Sequence, residues 1–328
     1  MARQVGDEER VELLGLHELR DVVRRVVNEI HKVIVGMDDA IEALLIALLT
    51  EGHVLMEGVP GLAKTYLAKY FAKTLNLTFS RIQITSDLLP SDITGSLVYD
   101  KSTGQFVFRK GPIFANLVLA DEINRGPPRT QSALLEVMQE RQVTVEGVSY
   151  DTPRPFMVIA TQNPIELEGT FPLPEAQLDR FLVRVIVTHP EREQEIEVLR
   201  MKQVSGEEPE IKPVVGEDVV LRGIAAISSI RVDDSIMEYI VDIVRKTRQM
   251  PEVYLGASTR AEVALMYAAK AKAAISGCSY VTPDHIKSVA PLVLNHRIIL
   301  RSRRKGPFTS WSEFEVIQRA IEEVDVPI

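Results

Sequence analysis

The sequence predicts an α/β domain with a mostly parallel, five-stranded sheet, followed by a helical domain. Up to residue 187, short apolar segments alternate with amphipathic stretches, a pattern typical of strands and helices that follow one another in an α/β fold. Beyond His189 no strand segment of comparable quality appears, and helical periodicity dominates. The chain has 328 residues, more than one hydrophobic core usually serves, so we expect two domains.

Five apolar segments are the predicted strands: HVLMEG (53–58), TFSRIQIT (78–85), NLVLADE (116–122), RPFMVIATQN (154–163) and RFLVRVIV (180–187). Helical patterns separate them, so the strands are expected to run parallel. In open parallel sheets, ligands bind at the edge where the strands end. Polar residues that follow these segments are therefore the first candidates for a functional site.

Two stretches of the first domain are predicted to be inserted β-hairpins. Residues 91–112 contain two alternating apolar runs around a turn with glycine, and residues 141–153 repeat the pattern around a Glu-Gly pair. Tyr99, Phe106 and Phe108 of the first hairpin either grip a partner or pack against their own hairpin and helix. The sequence leaves both readings open.

We expect three parts: a nucleotide-binding core over 1–190, a connecting helix and linker over 191–218, and a helical lid over 219–328. The linker prediction rests on SGEEPEIKPVVGED (205–218), which is rich in glycine, proline and charge. The lid has helical patterns near 219–230, 234–249, 259–276 and 283–295. Thr282 before Pro283 predicts a helix start, and Thr259 to Glu262 fits a capping box.

The bulk composition favours a cytoplasmic protein without a membrane span. The longest apolar run, Ala43 to Leu49, is far shorter than the roughly 20 residues that a membrane helix needs. The acidic N-terminus lacks the pattern of a signal peptide, and the single cysteine, Cys278, fits a reducing compartment. A net charge of −8 opposes a broad contact with nucleic acid, and we interpret RSRRK (301–305) as a solvated face.

Residues 58–65 read GVPGLAKT, which fits the phosphate-binding loop G-x-x-x-x-G-K-[ST] except that Ala63 replaces the second glycine. The loop follows a predicted strand and precedes a predicted helix, as this motif requires. Lys64 would reach the β- and γ-phosphates, and Thr65 would bind Mg²⁺. The predicted nucleotide-binding residues of the loop are Gly58, Val59, Pro60, Gly61, Leu62, Ala63, Lys64 and Thr65.

Ala63 raises the question of whether the site has lost its function. We expect its φ to be negative, since alanine then differs little from glycine, whereas a positive φ would disable the loop. Supporting a working site, the apolar strand NLVLADE ends in Asp121 and Glu122. Asp121 could hold Mg²⁺ and Glu122 could polarise the attacking water. The alternative is an ordinary polar exit from a strand.

Three more polar residues are catalytic candidates, each with a simpler alternative. Asn163 in VIATQNP could align water against the γ-phosphate, although Asn-Pro is also a common turn. Arg180 in EAQLDRF could stabilise charge on a neighbouring subunit's ATP, or form an ion pair with Asp179. Arg260 lies in the first turn of a helix, where a cation opposes the helix dipole unless an anion binds there.

Together these motifs resemble those of the AAA+ ATPases, and their amino-acid residues resemble those of the MoxR family in particular. The matching stretches are GVPGLAKT, LADEINR, ATQNPIELEGTFPLPEAQLDRF, GASTRA, YVTPDHI and VLNHRI, which span most of the chain from about Val33. MoxR-like loops resemble this one, alanine included. The resemblance implies a P-loop core of the αβα type with a five-stranded parallel sheet and a C-terminal helical lid.

The resemblance also implies the role of each candidate. Lys64 and Thr65 would be Walker A, Asp121 and Glu122 Walker B, Asn163 sensor 1, Arg180 the arginine finger and Arg260 sensor 2. The two hairpins would be the helix-2 insert and the pre-sensor-1 hairpin. Met37 and Thr259 depart from the family pattern, which usually has glutamine and proline there; the first departure concerns the contact with adenine.

We therefore expect a homo-hexameric ATPase that uses ATP and Mg²⁺ to remodel a protein client, together with a partner that carries a von Willebrand A domain. ATP would lie between the core and the lid of one subunit, with Arg180 reaching it from the next. A nucleic-acid motor is the alternative, against which the net acidity counts. A nucleotide-gated scaffold without turnover is the third hypothesis, and Glu122, Asn163 and Arg180 argue against it.

Overall fold

The computed structural model describes residues 13–165, 169–204, 210–301 and 310–327. Its core is a five-stranded sheet in which every pairing is parallel, in the order β2-β5-β8-β1-β9. The strands are β1 Val54–Glu57, β2 Phe79–Gln83, β5 Leu117–Asp121, β8 Met157–Gln162 and β9 Val183–Ile186. The five predicted strands and their parallel arrangement are confirmed. We call the edge where these strands end the carboxyl edge, and the opposite one the amino edge.

Seven helices accompany this sheet: α1 Leu16–Ile30, α2 Asp38–Leu49, α3 Lys64–Thr74, α4 Pro90–Thr94, α5 Pro128–Glu140, α6 Glu175–Leu178 and α7 Arg192–Val204. Strands β5 and β8 are buried on both faces, because helices cover the two sides of the sheet. Leu117 and Leu119 point into one hydrophobic cluster, whereas Val118 and Ala120 point into another. The alternation of side chains along β5 thus divides the core into two layers.

The two inserted hairpins contact each other through aromatic rings. The first pairs β3 Gly95–Asp100 with β4 Gln105–Lys110, and the second pairs β6 Gln142–Val145 with β7 Val148–Asp151. Phe108 of the first hairpin packs 4.3 Å, centroid to centroid, from Tyr150 of the second. Tyr99 and Phe106 pair with each other at 5.4 Å, yet their side chains remain exposed. Phe108 therefore has a structural role, while the other two rings leave an apolar surface in solvent.

The C-terminal region is helical, with α8 Glu217–Ile227, α9 Asp234–Gln249, α10 Thr259–Ile275, α11 Pro283–Leu294 and α12 Ser310–Glu322. The predicted start at Thr282 is confirmed, and its capping box includes His285. The capping box at Thr259 is wrong: Ser258 is the N-cap of α10, and Glu262 pairs with Arg248 instead.

Sequence patterns missed a short antiparallel ribbon in the helical region. It consists of β10 Val253–Leu255 and β11 Ile299–Leu300, which are too short to show an alternating pattern. The basic run at 301–305 lies outside the described residues except for Arg301, and so does the part of the predicted linker at 205–209. Among the helices of the described ranges, none is long and apolar enough to cross a membrane.

Candidate functional site

The loop GVPGLAKT connects the end of β1 to the start of α3 at the carboxyl edge of the sheet. Gly58 packs against the end of β9: a Cβ there would lie 2.5 Å from the carbonyl oxygen of Val187, so only glycine fits. Gly61 has φ +85°, which glycine adopts without strain. The loop thus requires glycine at the two positions where the sequence provides it.

Ala63 has φ +55° and ψ +16°, a left-handed conformation, at the N-cap of α3. The expectation of a negative φ is therefore wrong. The further expectation, that a positive φ would disable the loop, also fails on energetic grounds, because a left-handed non-glycine residue costs only about 1–2 kcal/mol. Alanine has the smallest side chain that can take this conformation. The left-handed conformation of Ala63 therefore places a modest strain on the loop.

Lys64 is the first residue of α3, and its ammonium group points back into the loop. Nζ donates hydrogen bonds to the carbonyl oxygens of Gly58 at 2.6 Å and Val59 at 2.8 Å. Burial lowers the pKa of Lys64, while the nearby carboxylates of Asp121 and Glu122 act in the opposite direction. A cation held by two carbonyl oxygens at the start of a helix is suited to receive an anionic phosphate.

Asp121 is the most connected carboxylate of the carboxyl edge. Its Oδ1 accepts a hydrogen bond from Thr161 at 2.6 Å, and its Oδ2 accepts from Arg81 Nη2 at 2.7 Å and from Thr65 at 3.3 Å. The side chain of Asp121 is 12% exposed. The structure thus brings Thr65 and Asp121 together as predicted, and it adds Arg81 and Thr161, which the motifs did not indicate.

Glu122 follows Asp121 directly and has a left-handed backbone conformation, φ +60°. Its Oε2 accepts a hydrogen bond from Gln83 at 3.1 Å and lies 3.1 Å from Nε of Arg125. Its backbone N–H donates to Thr161 Oγ1 at 2.8 Å. Glu122 is therefore held at the site through one neighbouring strand on each side, and about a quarter of its side chain (26%) is open to solvent.

Asn163 follows the end of β8, beside β1, and is buried with 6% exposure. Its Oδ1 accepts a hydrogen bond from the backbone N–H of Ile165, and its backbone carbonyl lies 3.4 Å from Asn124 Nδ2. The amide thus also caps its own turn, as the alternative reading of Asn-Pro suggested. The structure places Asn163 on the same edge as Lys64, Asp121 and Glu122.

A cleft of about 250 Å³ opens beside the loop, between the start of α2 and the end of β9. Its lining includes Met37, Asp38, Val187, His189 and Gln194. Met37 has φ +61° as the N-cap of α2. The cleft combines apolar and polar groups at the end of a phosphate-binding loop, which is where the base of a nucleotide would lie.

Arg180 lies on the amino edge, opposite the loop. It lies shortly before β9. Leu182, two residues further on, donates its N–H to the carbonyl oxygen of His53, which comes just before β1. The length of β1 therefore separates Arg180 from the loop by roughly 13 Å of strand, at about 3.3 Å per residue. Arg180 donates to the carbonyl oxygen of Leu135 at 2.8 Å.

Arg260 also lies on the amino edge, which differs from the expected arrangement. Its Nε is 3.7 Å from Oδ2 of Asp179, and it lines the same cavity as Arg180, beside Gly52 and His53. Asp179 supplies the anion that offsets the helix dipole at Arg260. The structure does not bring Arg260 to its own loop, and the residues lining the cleft beside the loop include none from 219–328. The predicted position of ATP, between the core and the lid of one subunit, therefore has no counterpart in the lining of this cleft.

The predicted site residues form two groups on opposite edges. The carboxyl edge holds the loop, Asp121, Glu122 and Asn163, while the amino edge holds Arg180 and Arg260. Sequence patterns missed Arg81 and Gln83, although both stand at alternate positions of a predicted strand, FSRIQ, where one face should be polar. The register Gln83↔Asp121 then places Gln83 next to the carboxylates.

The chain is similar to known proteins along most of its length. The family described as "ATPase family associated with various cellular activities (AAA)" matches residues 53–183, and the AAA lid domain matches residues 245–320. Uncharacterized protein YeaC of Bacillus subtilis is 45% identical over 311 residues, which are 95% of this chain and 97% of that protein. Chaperone MoxR1 of Mycobacterium tuberculosis is 43% identical over 295 residues, 87% of this chain and 78% of that protein.

A solved structure agrees with these sequence relatives. The crystal structure of a protein from Cytophaga hutchinsonii described as a "putative ATPase" has a TM-score of 0.86 to this chain and is 40% identical in sequence. The match covers 95% of this chain and 97% of that one. Core and helical region therefore occur together in that protein, in the same overall arrangement.

Proposed function

Since this chain belongs to the MoxR family of AAA+ ATPases and is an ATP hydrolase, we propose that it works as a ring in which each ATP lies between two subunits. The carboxyl edge of one subunit binds the nucleotide, and the amino edge of the next supplies the two arginines Arg180 and Arg260. The cycle of binding and hydrolysis then remodels a protein client.

The residues of the carboxyl edge fit Mg²⁺. Thr65 Oγ1 and Asp121 Oδ2 are oxygen donors 3.3 Å apart, of the kind that magnesium accepts when phosphate and water complete its shell. We propose that Thr65 and Asp121 hold the ion, which would neutralise charge on the β- and γ-phosphates. Arg81 now binds the same carboxylate oxygen, so it has to give up this hydrogen bond, at least in part, when the ion binds.

Glu122 is the proposed general base, and Asn163 the proposed water-positioning residue. Gln83 and Arg125 both contact Oε2, and a carboxylate has about four acceptor sites, so Glu122 can take a proton from water while these contacts orient it. Lys64 would exchange the carbonyl oxygens of Gly58 and Val59 for phosphate oxygens. Binding and hydrolysis thus depend on different side chains of the same edge.

One observation carries the shared site: Arg180 and Arg260 lie together on the edge opposite their own loop. Because β1 separates them from that loop, neither can serve it in this conformation. A neighbour in a closed ring, whose carboxyl edge faces this amino edge, could be served by both. Two guanidinium groups near the γ-phosphate would stabilise the charge that develops in the transition state.

The hairpins are the proposed contact with the client. Tyr99 and Phe106 expose 52% and 69% of their surface at the first hairpin, and exposed aromatic rings are enriched in protein interfaces. One relative is named a chaperone. On this basis we propose a protein client. We also propose a hexameric ring and a partner with a von Willebrand A domain, which the family resemblance suggested, and action in the cytoplasm, which the composition suggested.

The test compares two substitutions in the same edge. Lys64→Ala is expected to weaken ATP binding, because the lysine contacts phosphate in the ground state. Glu122→Gln is expected to keep binding and to lose hydrolysis by about 100-fold or more, because the carboxylate acts on the water. Nucleotide affinity and steady-state turnover are measured for both. Equal loss of affinity in the two variants would contradict the assigned roles.

A further inference from the structure

The three residues that follow α11, Asn295, His296 and Arg297, bind the backbone on either side of Phe181; we call them the NHR clamp. Asn295 Nδ2 donates to the carbonyl oxygen of Arg184 at 2.9 Å, and His296 Nε2 donates to that of Phe181 at 3.0 Å. The helical region thereby holds the start of β9, directly after Arg180.

Arg297 makes the densest set of contacts in the clamp. Its Nε donates to Asp179 Oδ1 at 2.7 Å, and its two terminal nitrogens donate to four carbonyl oxygens: Asp179 (3.4 Å), Phe181 (2.7 Å), Leu182 (3.0 Å) and Val293. Five hydrogen bonds match the five N–H donors of a guanidinium group. Only 4% of the side chain is exposed.

These contacts are built into the fold, because their polar groups are out of reach of water. Asn295 is 1% exposed and His296 is 5% exposed. Burial and the nearby Arg297 and Arg184 hold the pKa of His296 well below its usual range, which favours a neutral ring with one proton. We assign that proton to Nε2, which makes the shorter contact, 3.0 Å to the carbonyl oxygen of Phe181, whereas Nδ1 lies 3.2 Å from Asn295 Oδ1. The carbonyl oxygen of Phe181 accepts from both His296 and Arg297, so the clamp residues share the work of holding this segment.

Asp179 connects the clamp to both arginines of the amino edge. One carboxylate oxygen binds Arg297, and the other lies 3.7 Å from Nε of Arg260. The clamp, Asp179 and Arg260 thus form one continuous set of contacts between the helical region and the start of β9, and Arg180 follows Asp179 in the chain.

We propose that the NHR clamp positions Arg180 and Arg260 as one rigid unit for the ATP of the neighbouring subunit. The inference rests on the proposed function, since it assigns to Arg180 a role in the next subunit's site. The clamp residues are positioning residues: they touch the backbone around Arg180, and they lie on the edge opposite the loop of their own chain. Movement of the helical region would carry Arg260 directly and would act on Arg180 through the backbone that the clamp holds, against the hydrogen bond of Arg180 to Leu135.

Arg297→Lys is the main test, because it keeps the positive charge and loses the planar fork that reaches several carbonyl oxygens at once. A displacement of about 1 Å at a reacting group can reduce a rate by about 100-fold, so we expect turnover to fall by about 10- to 100-fold. Nucleotide affinity should stay within about threefold, because the chain's own loop is untouched. Asn295→Ala, which removes a single donor, is the milder second variant.

A matched control is Arg319→Lys. Arg319 belongs to α12 and pairs with Glu252 and Glu323, both in the helical region and outside the segment 179–184. Its side chain is 51% exposed, so its ion pairs should contribute little. Turnover of this variant should equal that of the unmodified protein. A similar loss in Arg319→Lys would mean that any disturbance of the helical region lowers turnover.

Mixed rings separate positioning of the arginines from damage to the chain's own pocket. Arg297→Lys subunits keep an intact loop, and Lys64→Ala subunits keep an intact Arg180, so co-assembly of the two should restore turnover above both parents. Co-assembly of Arg297→Lys with Arg180→Ala subunits should not restore turnover, because neither subunit presents a correctly placed Arg180 to its neighbour. The same pair of mixtures is made with Asn295→Ala.

The outcomes distinguish this inference from the proposed function. Suppose that mixed rings of Arg180→Ala and Lys64→Ala subunits recover turnover, whereas mixed rings of a clamp variant and Lys64→Ala subunits do not. The clamp then acts on the pocket of its own chain, and the inference is wrong. Unchanged turnover in both clamp variants would also overturn it. If Arg180→Ala with Lys64→Ala fails to recover in rings shown to be mixed, the shared site itself is wrong, and the inference falls with it.

Discussion

The carboxyl and amino edges of the same sheet hold their polar side chains in different ways. At the carboxyl edge, Lys64, Asp121 and Glu122 bind groups that a ligand can replace: loop carbonyls, an arginine and a glutamine. At the amino edge, buried His53 and Arg297 bind the backbone of the core strands and their flanking segments. One edge can exchange partners, whereas the other keeps them.

This difference has a physical reason. A partly exposed group loses little when it trades one partner for another, since water and ligand can satisfy it in turn. A buried group must keep its partner, because an unpaired buried donor or acceptor costs about 1–3 kcal/mol. The arrangement suits a shared site, in which one subunit changes contacts on binding ATP while its neighbour presents two arginines that lie beside the buried, fixed groups.

The largest expected effect on turnover concerns the amino edge. Arg180→Ala should lower turnover by about 10³-fold, the lower end of the range attested for arginine fingers, with ATP affinity unchanged. The expected cause is loss of charge stabilisation in the transition state at the neighbour's site. Single-turnover hydrolysis and equilibrium nucleotide binding measure the two quantities. A parallel loss of affinity would show that Arg180 also supports the ground state or the fold.

His53 tests whether the amino edge is permanently buried. The ring donates from Nε2 to the carbonyl of Met138 and accepts the N–H of Val158 at Nδ1, so it must be neutral. Burial lowers its pKa to about 4 from 6.5. The unfolded chain therefore takes up the proton first as pH falls, and this stabilisation, complete above pH 6.5, is lost between pH 6.5 and 4.

The expected loss for His53 is about 3 kcal/mol at pH 4 relative to pH 7. It is measured as the difference in free energy of unfolding between the unmodified protein and His53→Gln, which cannot titrate. That difference should shrink by this amount on acidification, whatever other groups do in both proteins. A difference independent of pH would mean that His53 is not held neutral.

A substitution of Ala63 tests whether the loop at the carboxyl edge is strained. Ala63→Gly should raise the free energy of unfolding by about 0.5–1 kcal/mol, since relief of the left-handed conformation outweighs the extra entropy of glycine in the unfolded chain. Turnover should be retained. Ala72→Gly, inside α3, is the control and should lower stability by about 1 kcal/mol or more. A loss of stability in Ala63→Gly would refute the assignment of strain.

The smallest expected effect concerns a region outside both edges. Replacing the hairpin tip Lys101 to Gly104 by a short neutral turn should leave basal ATPase within about threefold, because a change below 1 kcal/mol is expected there. Activity that depends on a client should fall. Basal turnover, nucleotide affinity and client-stimulated turnover are compared. If nucleotide binding collapsed, the hairpin would belong to the core rather than to the client surface.

Much of the fold was predictable because its signals are local. Five apolar strands and helix starts such as Thr282 can be identified from spacing and capping chemistry. The motif also indicated Lys64, Thr65 and Asp121, since a strand, a loop and a helix bring them together in a known order.

The features of the site that the sequence did not predict depend on contacts between distant segments or on backbone angles. Arg260 and Arg180 are 80 residues apart in the chain, and only the packing of the helical region shows that they share one cavity. The φ of Ala63 is set by the path of the loop and not by alanine's own preference, which is why the prediction was wrong. Arg81 and Gln83 became visible through the strand register with Asp121.

The shared site is tested most directly by mixing Lys64→Ala with Arg180→Ala subunits. The first binds little nucleotide but presents Arg180, and the second binds ATP but presents no arginine at that position. In mixed rings, some Arg180→Ala pockets face an intact neighbour, and turnover should appear that neither parent shows. Recovery should reach at most about a quarter of the interfaces for an equal, random mixture. If co-purification of differently tagged chains proves mixing and turnover stays at the parents' background, Arg180 does not act on the neighbouring subunit.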